Sequence, residues 1–401
     1  MSCNKLALTG SAPIRAAEFP RWPRPNPAVE AAVCEVLRTG NWWQSGSGTA
    51  ERLEQALADR FDVERAVCVM NGTVAIEIGL RALGIGLGDE VLVPGTTFVS
   101  TASAVAIVGA TPVPVDVHAT TLNIDATAAE HAITDRTRAV IAVHLAGQPC
   151  DLEAVRELCD RRCLALIEDS AQAIGAEWNG ARVGSAGDVT TLSFQAAKLV
   201  SGGEGGAVLV RADPTLARRV ELLANCGRPR GSGGYDHVEI GTNARISELN
   251  AAVVLAGLPG YDELRTVRDT AVARLRREFD RRCLVDTAGS VTRHDHYMLL
   301  LRVPVQLNAQ GVTNGAVAAA LTAEGLPTNI LYPAWTTLPA FASVIDERAD
   351  RCYASLDATA RAMWMHHRLL LDDDFPAQLR AAWERITTAP DALLAWQRDR
   401  R

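Results

Sequence analysis

Lysine is almost absent from this sequence. Lysine and arginine together number 40, yet only Lys5 and Lys198 are lysines. Arginine therefore supplies nearly all of the positive charge, and a lysine kept in mid-chain invites a chemical explanation. Arginine stays protonated and is a poor nucleophile, whereas a lysine amine can lose its proton and condense with a carbonyl group. The alternative is an ordinary surface lysine, and composition alone does not decide between the two.

The sequence also lacks a basic excess and a long apolar run. Its formal net charge is −7 at pH 7, which argues against nucleic acid as a partner. No run of about 18 apolar residues occurs, so we expect no membrane span. Residues 1–13 lack the charged-then-apolar pattern of a secretion signal, and we therefore expect a cytoplasmic protein.

Several motifs of common protein classes are missing. The nine cysteines include no C-x-x-C pair, so we expect neither a metal site nor a disulfide framework. The glycine clusters do not have the spacing of a P-loop or of a dinucleotide-binding fingerprint. A G-x-S-x-G nucleophile elbow is absent as well, which argues against an α/β hydrolase.

Strand and helix patterns alternate through the first part of the chain. Apolar runs predict strands at 66–70, 90–94, 111–117, 139–144, 164–169, 189–194 and 206–210, with helical patterns between most of them. This alternation predicts an α/β domain built on a mostly parallel sheet, with the two prolines of 111–117 indicating an edge strand. A smaller α+β pattern follows, including a predicted strand at 367–371. We divide the chain into an N-terminal arm (1–30), a large domain (31–258) and a small C-terminal domain (259–401).

Polar groups follow several predicted strands, where ligands of such sheets bind. Gly72 and Thr73 open a helix and suit a phosphate, although a plain helix cap explains them too. Asp169 ends a buried strand and could bind a metal, cap a helix or hold a protonated ring nitrogen. Ser193 precedes Lys198 by five residues. A phosphate cradle, a carboxylate and a lone lysine are the groups that pyridoxal phosphate (PLP) requires.

The motifs resemble the DegT/StrS family of PLP-dependent sugar and cyclitol aminotransferases over nearly the whole chain. The resemblance rests on the segments at 71–73, 94–98, 143–147, 168–173, 193–206 and 241–245. It implies a fold type I, aspartate aminotransferase-like structure and PLP as the cofactor. The Ser-Phe-Gln segment at 193–195 and the Lys-Leu pair at 198–199 are similar to the scyllo-inosose aminotransferase and 3-amino-5-hydroxybenzoate synthase branch of the family.

The resemblance also implies roles for individual residues. Lys198 is the expected catalytic lysine that binds the cofactor covalently, and Asp169 the expected partner of its ring nitrogen. The other expected cofactor contacts are Gly72, Thr73, Phe98, Gln172, Ser193 and Asn243. Among these, Asn243 reaches the phosphate from a neighbouring subunit, which implies a homodimer with shared active sites. Candidate substrate contacts are Trp43, Arg228, Arg230 and Tyr332.

The predicted activity is amino transfer from L-glutamine or L-glutamate to a keto-cyclitol or keto-sugar in bacterial secondary metabolism. The nearest enzymatic alternative is an aromatising synthase that makes an aminobenzoate. A family dehydratase carries histidine at the lysine position, so Lys198 argues against that activity. A non-catalytic partner subunit with the same fold is the remaining alternative. The sequence leaves the identity of the ring and the aminated carbon open.

Overall fold

The computed structural model describes residues 6–24, 26–44, 48–232, 235–285, 287–344 and 347–400. Its strands are β1 (Arg65–Val69), β2 (Glu90–Pro94), β3 (Thr111–Val115), β4 (Thr137–Val143), β5 (Ala165–Asp169), β6 (Glu177–Trp178), β7 (Ala181–Arg182), β8 (Val189–Ser193), β9 (Gly206–Val210), β10 (Val291–Arg293), β11 (Met298–Arg302), β12 (Asn329–Ile330) and β13 (Ala362–His366).

Helices separate most of these strands in the first half of the chain, as the sequence pattern predicts. The α-helices are α1 (Pro27–Thr39), α2 (Thr49–Phe61), α3 (Gly72–Ala82), α4 (Ser100–Ile107), α5 (Ala126–Ala132), α6 (Leu152–Arg162), α7 (Pro214–Ala224), α8 (Glu248–Gly257), α9 (Gly260–Glu278), α10 (Val305–Ala309), α11 (Asn314–Ala323), α12 (Tyr353–Arg361), α13 (Phe375–Thr387) and α14 (Pro390–Arg398).

A seven-stranded sheet organises the larger part of the molecule. Its strand order is β1-β9-β8-β5-β4-β2-β3, and only β9 runs antiparallel to its neighbours. The prediction of a mostly parallel sheet is therefore confirmed. Strand β3 lies at the edge, as its two prolines indicate, because a proline cannot donate to a neighbouring strand. The strands are buried on both faces, which explains their nearly continuous apolar runs.

A second core lies around the small antiparallel sheet β11-β13-β12. Buried side chains of α9, α11 and α13 pack against it, together with Leu6 and Phe19 from the N-terminal segment. The N-terminal segment is thus packed onto the C-terminal part of the chain. The domain limits at residues 30 and 258 stay a proposal.

The predicted strand at 367–371 is wrong. These residues form a 3-10 helix, and the strand is the preceding segment, β13, which lies between β11 and β12. His367 and Leu369 to Leu371 are all buried. A short buried apolar run has the same pattern in a strand and in a helical turn, so periodicity alone does not separate them.

Asp116, just beyond β3, joins the two parts of the molecule. Its carboxylate accepts hydrogen bonds from the backbone N–H groups of Ala354 (2.9 Å) and Ser355 (2.8 Å) and from the Ser355 hydroxyl (2.9 Å). These donors lie in the first turn of α12, where backbone N–H groups lack intrahelical acceptors. Asp116 therefore caps a helix from a distant segment of the chain.

We predict that Asp116→Ala lowers the free energy of unfolding by about 1–2 kcal/mol, because the capping acceptor of α12 is lost. Urea denaturation followed by circular dichroism measures the change. Asp357→Ala is the matched control, since Asp357 lies on the same helix and makes only an exposed ion pair with Arg361. Equal stability of the two variants would contradict the capping role.

Candidate active site

A cavity of about 570 Å³ opens at the carboxyl ends of β1, β5 and β8. These three strands run in the same direction, so the residues that follow them meet at one edge of the sheet. Lining residues are Asn71, Gly72, Thr73, Val74, Ile76, Glu77, Phe98, Ser100, Thr101, Asp169, Ala171, Gln172, Ser193, Gln195, Lys198, Glu204, Tyr297 and Tyr332. The cavity thus brings together most of the residues singled out by sequence.

One end of the cavity is built to hold an anion. Asn71 caps α3 by accepting a hydrogen bond from the Val74 N–H (2.9 Å), and the helix then begins at Gly72. The N–H groups of Gly72 and Thr73 have no intrahelical acceptor and lie at the positive end of the helix dipole. A Cβ atom at position 72 would lie 2.8 Å from the Ser193 Cβ, so only glycine allows Ser193 to approach this helix end.

Asp169 supplies a buried carboxylate on the cavity side of β5. Its Oδ2 accepts a hydrogen bond from the Thr101 hydroxyl (2.9 Å), and its Oδ1 accepts one from the Ala171 N–H (3.2 Å). Neighbouring side chains of a strand point to opposite faces of the sheet. Glu168 accordingly points away and accepts a hydrogen bond from His144 at 3.0 Å and from the backbone N–H of Gly184 at 2.7 Å.

Lys198 presents its amine to the same cavity. Desolvation lowers the pKa of Lys198 to about 8, and the negative charge of Asp169 opposes this shift by favouring the ammonium form. The Lys198 Nζ lies 4.6 Å from the centre of the Tyr297 ring. The amine therefore loses its proton far more readily than an ordinary lysine, and its deprotonated form can act as a base or a nucleophile.

Three further predicted residues line the cavity. Phe98 is half exposed, and its ring lies 5.6 Å from that of Tyr332 in an edge-to-face arrangement. Gln172 is buried, and its side-chain oxygen accepts a hydrogen bond from the Ala146 N–H (2.7 Å). Burial raises the pKa of Tyr332, so its phenol stays neutral. Their roles toward a cofactor or substrate stay predictions.

The remaining substrate candidates line a separate cavity of about 200 Å³. Arg230 is held there by a bidentate ion pair with the buried Glu54. The Nε of Arg228 is buried without a hydrogen-bond partner in the described part of the chain. Trp43 is 57% exposed, and the Arg245 guanidinium lies 5.5 Å from its ring. Of the two predicted arginines, only Arg228 is thus available to a ligand.

Asn243 lies outside the cofactor-sized cavity of its own chain. It is exposed and forms an isolated backbone bridge with Asn225. The expected contact of Asn243 with a neighbouring subunit stays a prediction.

The sequence analysis gave no role to several lining residues. Thr101 fixes Asp169, and Tyr297 contacts the Lys198 amine, while Gln195, Glu77 and Glu204 add polar groups to the wall. Thr101 could have been found, because it lies in the first turn of a helix that follows a strand end. Tyr297 comes from a segment about 100 residues away, and nothing in its local sequence indicates a contact with Lys198.

A lysine of lowered pKa, a buried carboxylate and a helix N-terminus meet at one edge of an α/β sheet, as expected of a fold type I transferase. The chain belongs to the DegT/DnrJ/EryC1/StrS aminotransferase family, whose model matches residues 26–379. It is therefore an aminotransferase. The sequence-based family prediction is confirmed.

This chain is similar both to a 3-amino-5-hydroxybenzoate synthase and to scyllo-inosose aminotransferases, the two kinds of enzyme named in the sequence analysis. The 3-amino-5-hydroxybenzoate synthase of Amycolatopsis mediterranei is 35% identical over 94% of this chain and 98% of that protein. An L-glutamine:2-deoxy-scyllo-inosose aminotransferase of Streptomyces fradiae is 36% identical over 96% of this chain and 97% of its own length.

Solved structures give the same result for the fold. The crystal structure of 3-amino-5-hydroxybenzoic acid synthase matches with a TM-score of 0.87 and 34% identity, covering 95% of this chain and all of that chain. A Streptococcus pneumoniae protein, assigned as a sugar aminotransferase and solved in its PLP form, has a TM-score of 0.83 and 25% identity, with 94% and 99% coverage. Members of this fold thus bind PLP.

No helix in the described ranges is both long and apolar enough to cross a membrane. Within the same ranges, no group of three or more histidine, cysteine, aspartate or glutamate side chains is arranged to hold a metal ion.

We predict that the Lys198 amine of cofactor-free protein titrates near pH 8, and that Asp169→Asn lowers this pKa by about one unit, because a charge favouring the ammonium is removed. Reductive methylation with ¹³C-formaldehyde labels only Lys5, Lys198 and the N-terminal amine, so NMR can follow the titration. Lys198→Arg identifies the signal. Asp160→Asn removes an exposed carboxylate and should leave the pKa unchanged; a pKa that does not move in Asp169→Asn would contradict the coupling.

Proposed function

We propose that this protein transfers the amino group of L-glutamine to a keto-cyclitol, with PLP as its cofactor. The observation that carries the proposal is the convergence of Lys198, Asp169 and the α3 N-terminus in one cavity. The Streptomyces fradiae relative described above, which by its name uses L-glutamine and 2-deoxy-scyllo-inosose, supports this choice of substrates.

The residues of the cavity fit PLP. The Gly72 and Thr73 N–H groups and the Ser193 hydroxyl offer donors for its phosphate. Asp169, fixed by Thr101, is an acceptor for a protonated ring nitrogen. When bound, PLP supplies a ring that withdraws electrons from the carbon undergoing reaction. The cavity of about 570 Å³ leaves space for a substrate beside the cofactor.

Lys198 has two tasks in this proposal. Its amine would hold the cofactor covalently, and once freed it would accept the proton from the α-carbon of the donor. A pKa near 8 suits both tasks, because the amine stays basic enough to accept a proton and loses its own proton much closer to neutral pH than an ordinary lysine. Placing the base next to the carbon that it deprotonates adds the advantage of proximity. Phe98 would stack on the cofactor ring, and Gln172 would lie near its hydroxyl group.

Other residues are proposed to bind the two substrates. Arg228 is the better candidate for the donor carboxylate, because Arg230 is already paired with Glu54. The polar wall formed by Gln195, Glu77 and Glu204 offers hydrogen-bond partners to the hydroxyl groups of a cyclitol ring. The Tyr332 ring packs against the Phe98 ring, and together they form the apolar part of the cavity wall.

A second function is an aromatising aminobenzoate synthase. The 35% identity to 3-amino-5-hydroxybenzoate synthase over nearly the full chain favours it. The two functions share the catalytic lysine and carboxylate and differ in the product. An aromatic product absorbs in the near ultraviolet, whereas an aminocyclitol does not, so product spectra separate the two.

We further propose a homodimer with shared active sites in the cytoplasm. Several large apolar side chains are exposed: Ile240 (88%) lies three residues before Asn243, Phe98 (50%) lines the cavity, and Trp42 is 53% exposed. A second chain would cover such apolar surface. Asn243 would then reach the phosphate end of the partner's cavity.

We predict that PLP added to the protein gives a visible absorption band of lysine-bound cofactor, and that L-glutamine removes it. A keto-cyclitol should then restore the band. Lys198→Arg keeps a positive charge without an available nucleophile and should give no band. The proposal fails if the wild-type protein forms no such band. A band that L-glutamine and L-glutamate both leave unchanged would favour the non-catalytic partner subunit.

We predict that mixing inactive Lys198→Ala and inactive Asn243→Ala proteins restores about a quarter of wild-type activity. Half of the randomly mixed dimers are then heterodimers, each with one intact site. The mixture should be refolded together or co-expressed so that subunits exchange. No recovery in proven heterodimers would show that Lys198 and Asn243 act within one chain.

A further inference from the structure

Three rings surround the catalytic lysine from distant parts of the chain. Trp22 comes from the N-terminal segment, Tyr297 directly precedes β11, and His367 follows β13. The Trp22 and His367 rings meet edge to face at 4.4 Å, and the Tyr297 and His367 ring centres are 5.9 Å apart. We refer to Trp22, Tyr297 and His367 as the aromatic clamp.

Two members of the clamp hold the backbone at the lysine. The Trp22 indole N–H donates a hydrogen bond to the Lys198 carbonyl oxygen (3.1 Å). The His367 Nε2 lies 3.1 Å from the Ala197 carbonyl oxygen. Because that oxygen only accepts, Nε2 carries the proton. Desolvation lowers the pKa of His367 far below its ordinary value, so the ring is neutral and its tautomer is fixed by this contact.

The third member contacts the amine itself. Tyr297 is 6% exposed, and its ring lies 4.6 Å from the Lys198 Nζ, within the range of a cation–π interaction. Burial raises the pKa of the Tyr297 phenol to about 12, so the ring remains neutral while the lysine titrates. The backbone N–H of His367 donates to the Tyr297 carbonyl oxygen (3.3 Å), which links the two ring positions.

We propose that the aromatic clamp is the positioning device of the catalytic lysine, in which Tyr297 holds the amine and Trp22 and His367 hold its backbone. The proposal rests on the catalytic role given to Lys198 above. All three are positioning residues, because they act through Lys198. The N-terminal segment thereby becomes part of the active-site architecture, although it lies 176 residues from the lysine.

The effect of Tyr297 on the pKa of the Lys198 amine must be separated from the effects of the other titratable groups nearby. The titratable side chains that share the cavity with Lys198 or interact with it electrostatically are Asp169, Glu77, Glu204, Tyr332, His366 and His367. Burial lowers the pKa of His366 to about 4, so both histidines stay neutral near pH 8. A substitution that alters only the electron density of the ring at position 297 leaves all of these groups in place.

The decisive experiment replaces Tyr297 by phenylalanine and by phenylalanines with increasing ring fluorination, which weakens the cation–π attraction at nearly constant shape. The Lys198 pKa is measured in cofactor-free protein by the ¹³C-methyl titration described above, so neither donor nor acceptor is needed. We expect Tyr297→Phe to retain the wild-type pKa and each added fluorine to lower it, by about half to one unit in total. A pKa that is independent of fluorination would overturn the role of the Tyr297 ring.

Trp22→Phe tests the backbone contacts, because it keeps a ring against His367 and removes the indole donor. We expect the single-turnover rate with L-glutamine to fall several-fold, with little change in the donor concentration needed for half-saturation and with an unchanged Lys198 pKa. Trp396→Phe is the matched control, since Trp396 packs in the second core beside Arg400. Wild-type single-turnover rates in Trp22→Phe would overturn the backbone role, and the methyl titration still reports on Tyr297 if turnover is absent altogether.

Discussion

The Lys198 amine is subject to two opposing effects, and the rest of the site is arranged around their balance. Removal of water lowers its pKa, while the negative charge of Asp169 favours the protonated form. Neither effect alone would suit a base that must work near neutral pH, since desolvation without the carboxylate would weaken the base further. The Thr101 hydroxyl and the Ala171 N–H keep Asp169 in place, so the balance depends on the helix and the turn that follow two different strands.

The site also requires two glycines, because the absence of a side chain at these positions allows neighbouring segments to pack closely. Gly72 lets Ser193 approach the start of α3, and a Cβ at Gly206 would lie 2.5 Å from the Asn71 carbonyl carbon. Both glycines therefore allow β8, β9 and the start of α3 to come together. The anion cradle forms because the helix end, rather than any charged side chain, supplies the donors.

Much of this site follows from local patterns. Parallel strands place their carboxyl ends at one edge, so Gly72, Asp169 and Ser193 could be expected to meet once the strands were recognised. The roles of Trp22 and Tyr297 could not, because their partners lie about 176 and 100 residues away and nothing in the local sequence encodes that contact. The error at His367 has the same origin: burial on all sides gives a strand and a helical turn the same apolar pattern, and only pairing with β11 and β12 decides which segment is the strand.

The two loop arginines show how tertiary structure separates residues that look alike in sequence. Arg230 is neutralised by Glu54, whereas the Arg228 Nε has no hydrogen-bond partner in the described ranges. Backbone bridges pair Trp43 with Ser247 and Asn225 with Asn243, so the small arginine-lined cavity and Asn243 belong to one connected surface. Because this surface lies outside the lysine cavity of its own chain, a single contact with a second copy could deliver both Asn243 and Arg228 to one site. The shared-site proposal therefore needs one interface.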